Sequence, residues 1–261
     1  MGLQLFQVDA FTSELFSGNP AAVCILDEWL EDATMQLIAN ENNLSETAFA
    51  VRDGERYAIR WFTPEVEVDL CGHATLATAH VLFEHLSHPS LTVEFHSPRS
   101  GKLTVAKAGG RLILDFPADV VKEIKVPGWA VKALHKSPVK AFEGKTDTMF
   151  VFASQSEIES MKPDFGMLAE QGGRGVIVTA MGGEVDFVSR FFAPNSGISE
   201  DPVTGSAHTT LTPYWSRVLG KKVLTARQLS ARGGELRCED CGERVKISGQ
   251  AVTYMLGEIN V

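Results

Sequence analysis

The chain has 261 residues, 44% of them apolar and 22% charged, and a formal charge of −9. This is the composition of an ordinary soluble globular protein, with room for one large domain or two of about 100–150 residues and a core that needs no staples. An acidic chain with no basic run repels a phosphate backbone, so nucleic acid is not an expected partner.

The first residues, MGLQLFQVDAF, lack the basic start and apolar core of a signal peptide, and Phe6 breaks the myristoylation pattern. No apolar run approaches the ~20 residues that span a bilayer, so no membrane partner is expected. Four cysteines do not make a disulfide framework in a chain this long. A cytoplasmic location is the default expectation.

In chain order, residues 3–9 alternate as a strand does, and residues 21–26 form a short apolar run after Gly18-Asn19-Pro20. Residues 31–40 have helical spacing at Met35, Leu37 and Ile38. Residues 45–51 and 57–62 read as strands joined by a hairpin turn at Asp53-Gly54. Residues 74–86 are the strongest helix of the first half. Strands follow at 91–95, 101–107 and 111–116, with a turn at Ala108-Gly109-Gly110.

Residues 117–127 mix Pro, Asp and Lys and read as a linker. The second half then has strands near 139–142, 148–152, 175–180 and 185–192, and a helix at 207–219 in which Pro213 is a kink or a first-turn residue. Strands at 224–231, 234–238, 243–248 and 251–258 finish the chain. Many strands with one prominent helix per half argue for two α+β halves rather than a βαβ fold. The expected division is residues 1–117 and 118–261, with the last strand able to pack back on the first half.

Two stretches repeat each other. Arg60-Trp61-Phe62-Thr63-Pro64 leads to Cys71-Gly72-His73-Ala74-Thr75. Arg190-Phe191-Phe192-Ala193-Pro194 leads to Thr204-Gly205-Ser206-Ala207-His208. Each reads as a strand, a Pro-containing loop and a small-residue turn that opens a helix. Small residues at Gly72, Ala74, Gly205 and Ala207 let a ligand approach the backbone, and a helix N-terminus favours an anion. Gly also permits a tight strand-to-helix turn with no ligand at all.

His73 lies inside the first turn and can exchange protons near neutral pH. His80, His85 and His88 form no metal pattern and read as surface or packing residues. Asp201 and Ser206 put a carboxylate and a hydroxyl at one helix mouth, where both can also act as caps. Glu46 sits where a polar patch enters an apolar strand. Half-burial there would suit a general acid/base, although the local sequence alone reads it as an exposed loop residue.

Cys71 could be a thiolate activated by the helix end, but its counterpart in the second half is Thr204. Cys238 and Cys241 form a lone CxxC without the further ligands zinc needs. Gly172-Gly173-Arg174-Gly175 is neither a P-loop nor a dinucleotide fingerprint and reads as a turn before a buried strand. No metal, nucleotide or flavin site is expected.

Four segments together resemble the PhzF-like family, named for a phenazine-biosynthesis isomerase: VDAFTSELFSGNPAAVC at 8–24, NLSETAF at 43–49, FTPEVEVDLCGHATLATAHVL at 62–82 and GISEDPVTGSAH at 197–208. The resemblance implies the diaminopimelate epimerase-like fold. That is an α+β fold of two pseudo-symmetric halves, each a sheet curled around a central helix, with the site in the cleft between them. It also implies a homodimer and no cofactor.

Residue by residue, the resemblance makes Glu46 the catalytic acid/base. It makes His73 and Asp201 residues that bind substrate and assist proton transfer. Ser206, with the backbone at Gly72 and Gly205, would hold a carboxylate. The expected function is therefore a cofactor-independent isomerase that shifts a proton on a small carboxylic acid. An epimerase or racemase of an amino or hydroxy acid, with Cys71 facing Glu46 or another base, is the second expectation. A binding protein that kept the fold is the third.

Overall fold

The computed structural model describes residues 2–261, which form two compact units. The first comprises the chain up to Phe116 together with Ser248–Val261. The second is Pro117–Ile247.

The first unit contains β1 (Gly2–Ala10), β2 (Asn19–Leu26), α1 (Asp32–Asn42), β3 (Glu46–Asp53), β4 (Arg56–Phe62), β5 (Glu67–Val68), α2 (Gly72–Glu84), β6 (Thr92–Ser97), β7 (Gly101–Ala108) and β8 (Arg111–Pro117). The second contains β9 (Lys122–Ile124), α3 (Gly128–Leu134), β10 (Lys140–Glu143), β11 (Asp147–Val151), α4 (Gln155–Glu159), α5 (Phe165–Ala169), β12 (Gly175–Met181), β13 (Phe187–Ala193), β14 (Ile198–Asp201), α6 (Gly205–Leu219), β15 (Val223–Gln228) and β16 (Gly234–Asp240). Then come β17 (Arg244–Gly249) and β18 (Ala251–Asn260), and β18 returns to the first unit to pair antiparallel with β1.

The two units have one strand plan. In the first, β1–β2 is antiparallel, β2–β3 parallel, β3–β4 antiparallel, β4–β6 parallel and β6–β7 antiparallel. In the second, β10–β11, β11–β12, β12–β13, β13–β15 and β15–β16 repeat that series in the same order. The outer strand beside β1 is β18, and its counterpart beside β10 is β9. This is the α+β, epimerase-like architecture of two pseudo-symmetric halves, each with its sheet around one helix.

The central helices follow from composition. In α2, Ala74, Thr75, Leu76, Ala77, Thr78, Ala79, Val81 and Leu82 are all buried, so the helix is enclosed rather than amphipathic. Its small residues let strands pack closely against it. Thr75 and Thr78 satisfy their hydroxyls on Cys71 O and Ala74 O, one turn back.

The opposite sheet face of the first unit is covered by α1, through Met35, Ile38 and Ala39 against Leu5, Cys24, Phe49 and Phe62. In the second unit Ala130, Leu134, Ile158 and Leu168 from α3, α4 and α5 cover Phe150, Val178 and Phe192. These strands are buried on both faces, which is why they read as continuous apolar runs.

Two expectations change. The stretch read as a linker contains β9, which pairs with β10. Pro213 lies inside α6, where it removes one helical N–H. The carbonyl it strands, Thr209 O, accepts the backbone N–H of Asp119 at 3.2 Å, and the Asp119 carboxylate accepts from Thr210. The supposed linker thus repairs the gap made by the proline.

Candidate active site

In the first unit, β3 and the start of α2 bring Glu46, Cys71 and His73 together. One ligand-type atom of each lies within 4.8 Å of the others. His73 is buried, and its Nε2 lies 3.2 Å from Glu46 Oε2. Its Nδ1 lies 3.1 Å from the Asn19 side-chain nitrogen at the head of β2 and 3.4 Å from Cys71 Sγ.

Burial pushes the His73 imidazole down to about 3, so the ring is neutral at physiological pH. A neutral imidazole has one donor and one acceptor nitrogen. The Asn19 amide N–H donates to Nδ1, so Nε2 carries the proton and faces the Glu46 carboxylate across a 3.2 Å contact. Nδ1 is thus engaged by Asn19, while Nε2 and the buried Glu46 Oε2 lie side by side without a well-formed hydrogen bond between them. A cation held by these three groups would have to displace either the Nε2 proton or the Asn19 N–H from Nδ1.

Glu46 is the first residue of β3, and its side chain is 12% exposed. The local reading of an exposed loop residue is corrected. Parallel pairing with β2 at Ala21 opens the strand at Glu46, and the side chain turns toward His73.

In the second unit, β14 ends at Asp201, which is buried. Its Oδ2 accepts the Thr204 hydroxyl at 2.5 Å. Gln228, fully buried at the end of β15, accepts from Thr204 N and donates to Asp201 O and Thr204 Oγ1. Thr204 is thus the N-cap residue of α6 but makes no side-chain cap bond. Helix α2 likewise has no side-chain cap from Cys71. Neither helix has an acidic residue in its first turn, and the peptide N–H groups there keep their electropositive character.

Ser206 is held from a different direction. Arg174 Nη1 and Nη2 each donate to its Oγ at 3.0 Å. Arg174 also clamps Asp147, with Nε to Oδ1 at 2.9 Å and Nη2 to Oδ2, and its guanidinium lies over the Phe191 ring. His208, one turn into α6, donates Nδ1–H to Thr204 O, and burial lowers it to about 4.

The sequence names Glu46, Gly72, His73, Asp201, Gly205 and Ser206 as candidates. The structure puts Glu46, Gly72 and His73 at the start of α2 and Asp201, Gly205 and Ser206 at the start of α6. The sequence reading assigns no site role to Asn19, Gln228 or Asp147, and it takes Arg174 only as part of a glycine-rich turn. Asn19 lies inside one of the matching segments and Arg174 inside the glycine-rich turn, while nothing in the local sequence marks Gln228 or Asp147. Cys238 is buried and pushed up to about 12, while Cys241 is exposed, so the CxxC thiols face different surroundings.

A family model described as a phenazine biosynthesis-like protein, PhzC-PhzF, matches residues 8–257. The chain belongs to the phenazine biosynthesis-like family. An uncharacterized isomerase of Pseudomonas aeruginosa is 55% identical over the whole of both chains. A crystal structure of a PhzF-family protein from Enterococcus faecalis, 48% identical, superposes with a TM-score of 0.97 over the whole of both chains. A probable proline racemase of Agrobacterium radiobacter K84, 12% identical, covers 99% of this chain and 93% of its own with a TM-score of 0.67, and so shares the fold. This phenazine biosynthesis-like chain is an isomerase. Among the described residues, no helix is long and apolar enough to cross a membrane.

Proposed function

We propose that this isomerase moves a proton along a small unsaturated or activated carboxylic acid without a cofactor, with Glu46 as the acid/base. The observation that carries the reading is the 3.2 Å contact between Glu46 and a buried, neutral His73 at the mouth of α2. Glu46 takes a proton from carbon. The electron pair spreads into the conjugated acid as an enolate-like anion, the double bond shifts, and the protonated Glu46 or a neighbouring acid returns a proton at another carbon. Negative charge grows on the substrate carboxyl, where peptide N–H groups at Gly72 and Gly205 and the Ser206 hydroxyl stabilise it. His73 holds the Glu46 carboxylate, and Asp201 steadies the Thr204–Gly205 turn. The reading requires the mouths of α2 and α6 to serve one substrate in the cleft between the halves, and a homodimer belongs to the same proposal.

Geometry favours the proton shift over the epimerase reading. A two-base epimerase needs its bases on opposite faces of one carbon, roughly 6–7 Å apart if each lies about 3–3.5 Å from it. Glu46 and Cys71 approach within 4.8 Å. That spacing speaks against Glu46 and Cys71 as the two bases, and an epimerase pairing Cys71 with another base is separated by chiral analysis of the product with Cys71→Ala as control.

The test is solvent deuterium incorporation into a panel of small unsaturated acids. Glu46→Gln keeps the shape and removes the base, and exchange is expected to fall by about 10²–10⁴. Equal exchange by the wild type and Glu46→Gln overturns the role of Glu46. Loss of exchange on Ser206→Ala as well would support one shared substrate.

A further inference from the structure

The shared strand plan allows the two helix mouths to be compared position by position. Thr47 pairs with Phe62 on β3–β4, and Val176 pairs with Phe192 on β12–β13. Phe62 and Phe192 are equivalent in the duplicated sequence, so Glu46 corresponds to Gly175, with Arg174 one residue before it. The strand start that supplies a carboxylate to His73 in one unit supplies a guanidinium to Ser206 in the other.

Arg174 is built into place. Gly172 and Gly173 both have positive φ, +71° and +77°, which brings the chain sharply into β12. Gly175 is bare because a Cβ there would meet the Phe191 ring at 2.2 Å. That ring lies under the Arg174 guanidinium, 5.4 Å from Cζ to centroid. The Asp147 side chain is 2% exposed and takes a two-point clamp, whereas Arg174 itself is 39% exposed.

A serine hydroxyl has one hydrogen to donate and two lone pairs to accept with. Arg174 brings two N–H groups to Ser206 Oγ at 3.0 Å each. The lone-pair side of the oxygen is therefore occupied, and the hydroxyl hydrogen points away from the guanidinium. Among the described residues it has no acceptor. The positive charge beside the oxygen also makes that hydrogen a stronger donor.

We propose that Arg174, braced by Asp147, is a positioning residue that fixes Ser206 as a hydrogen-bond donor to a carboxylate at the mouth of α6. This rests on the carboxylate-binding role proposed above for Ser206. Arg174 acts through the serine, and the buried Asp147 balances its charge, so discrimination comes from a directed O–H rather than from a bare cation. The Glu46 mouth performs proton transfer, and the Arg174 mouth orients the substrate by its carboxyl group.

The experiment is a formate titration followed by the backbone amide resonances of Gly205, Ser206 and Ala207. Formate is the smallest carboxylate probe and needs no fitted pocket. Arg174→Lys keeps a cation against Asp147 but loses the fork to Ser206. It should raise the formate Kd about 5-fold, as should Asp147→Asn, which frees the clamp. Ser206→Ala should raise it by a similar factor, and Arg174→Lys in that background should add nothing. An unchanged Kd in Arg174→Lys overturns the proposal, as does a loss of equal size with and without the serine. If formate leaves the three amides of the wild type unmoved, the carboxylate-binding role of this mouth falls. Deuterium exchange by Glu46→Gln tests the chemistry independently.

Discussion

At the residue scale, the unusual group is a histidine that cannot act as a cation. Desolvation keeps His73 neutral, and Asn19 selects which nitrogen carries the proton. The expected 15N spectrum of His73 is that of the neutral Nε2–H tautomer, unchanged from pH 8 to pH 5. In Asn19→Leu, Nδ1 loses its donor. Stability should drop by about 1–3 kcal/mol, and the tautomer signal should become mixed. A spectrum titrating near pH 6.5 would contradict the buried neutral ring. Little of this was legible in the chain. The residue types His73 and Glu46 were visible, but Asn19 lies 54 positions from His73, and no local pattern announces such a contact.

At the element scale, legibility followed length and enclosure. The long central helices and most strands were readable because small-residue runs and apolar runs are local signals. Helices α4 and α5, of five residues each, are too short to show a period, and they exist because the outer face of their sheet needs cover. The Arg174 loop was read only as a turn because its partners lie 27 and 32 positions away. Packing at that loop gives a sharp expectation. In Gly175→Ala the new methyl collides with Phe191, which must leave its place under the guanidinium. We expect a loss of about 1–3 kcal/mol in urea unfolding, accompanied by weaker formate binding. A neutral substitution would show that the ring is free to move.

At the scale of the whole molecule, the duplicated plan places one buried, neutral histidine near the start of each central helix. An unfolded histidine titrates near 6.5, whereas His73 and His208 titrate near 3 and 4 in the folded chain. Below about pH 6.5 the unfolded chain binds protons that the folded chain refuses. Stability is therefore fully present above that pH and is lost as pH falls toward the folded values. Each histidine contributes a loss of about 2 kcal/mol by pH 5. Urea unfolding at pH 7.5 and pH 5 should show it, and His208→Gln should narrow the difference by about that amount. An identical difference in the variant would mean that other groups carry the acid sensitivity.

Strand β1 begins at Gly2, while its neighbour β18 ends at Asn260. During synthesis the first unit must wait. Its opening strand acquires one neighbour early, from β2, and the other only after all of Pro117–Ile247 has been made. The second unit has β9 in the corresponding place and needs no such wait. The half that emerges first from the ribosome is thus the half that completes its sheet last, and its β1 edge stays open to other strands throughout translation.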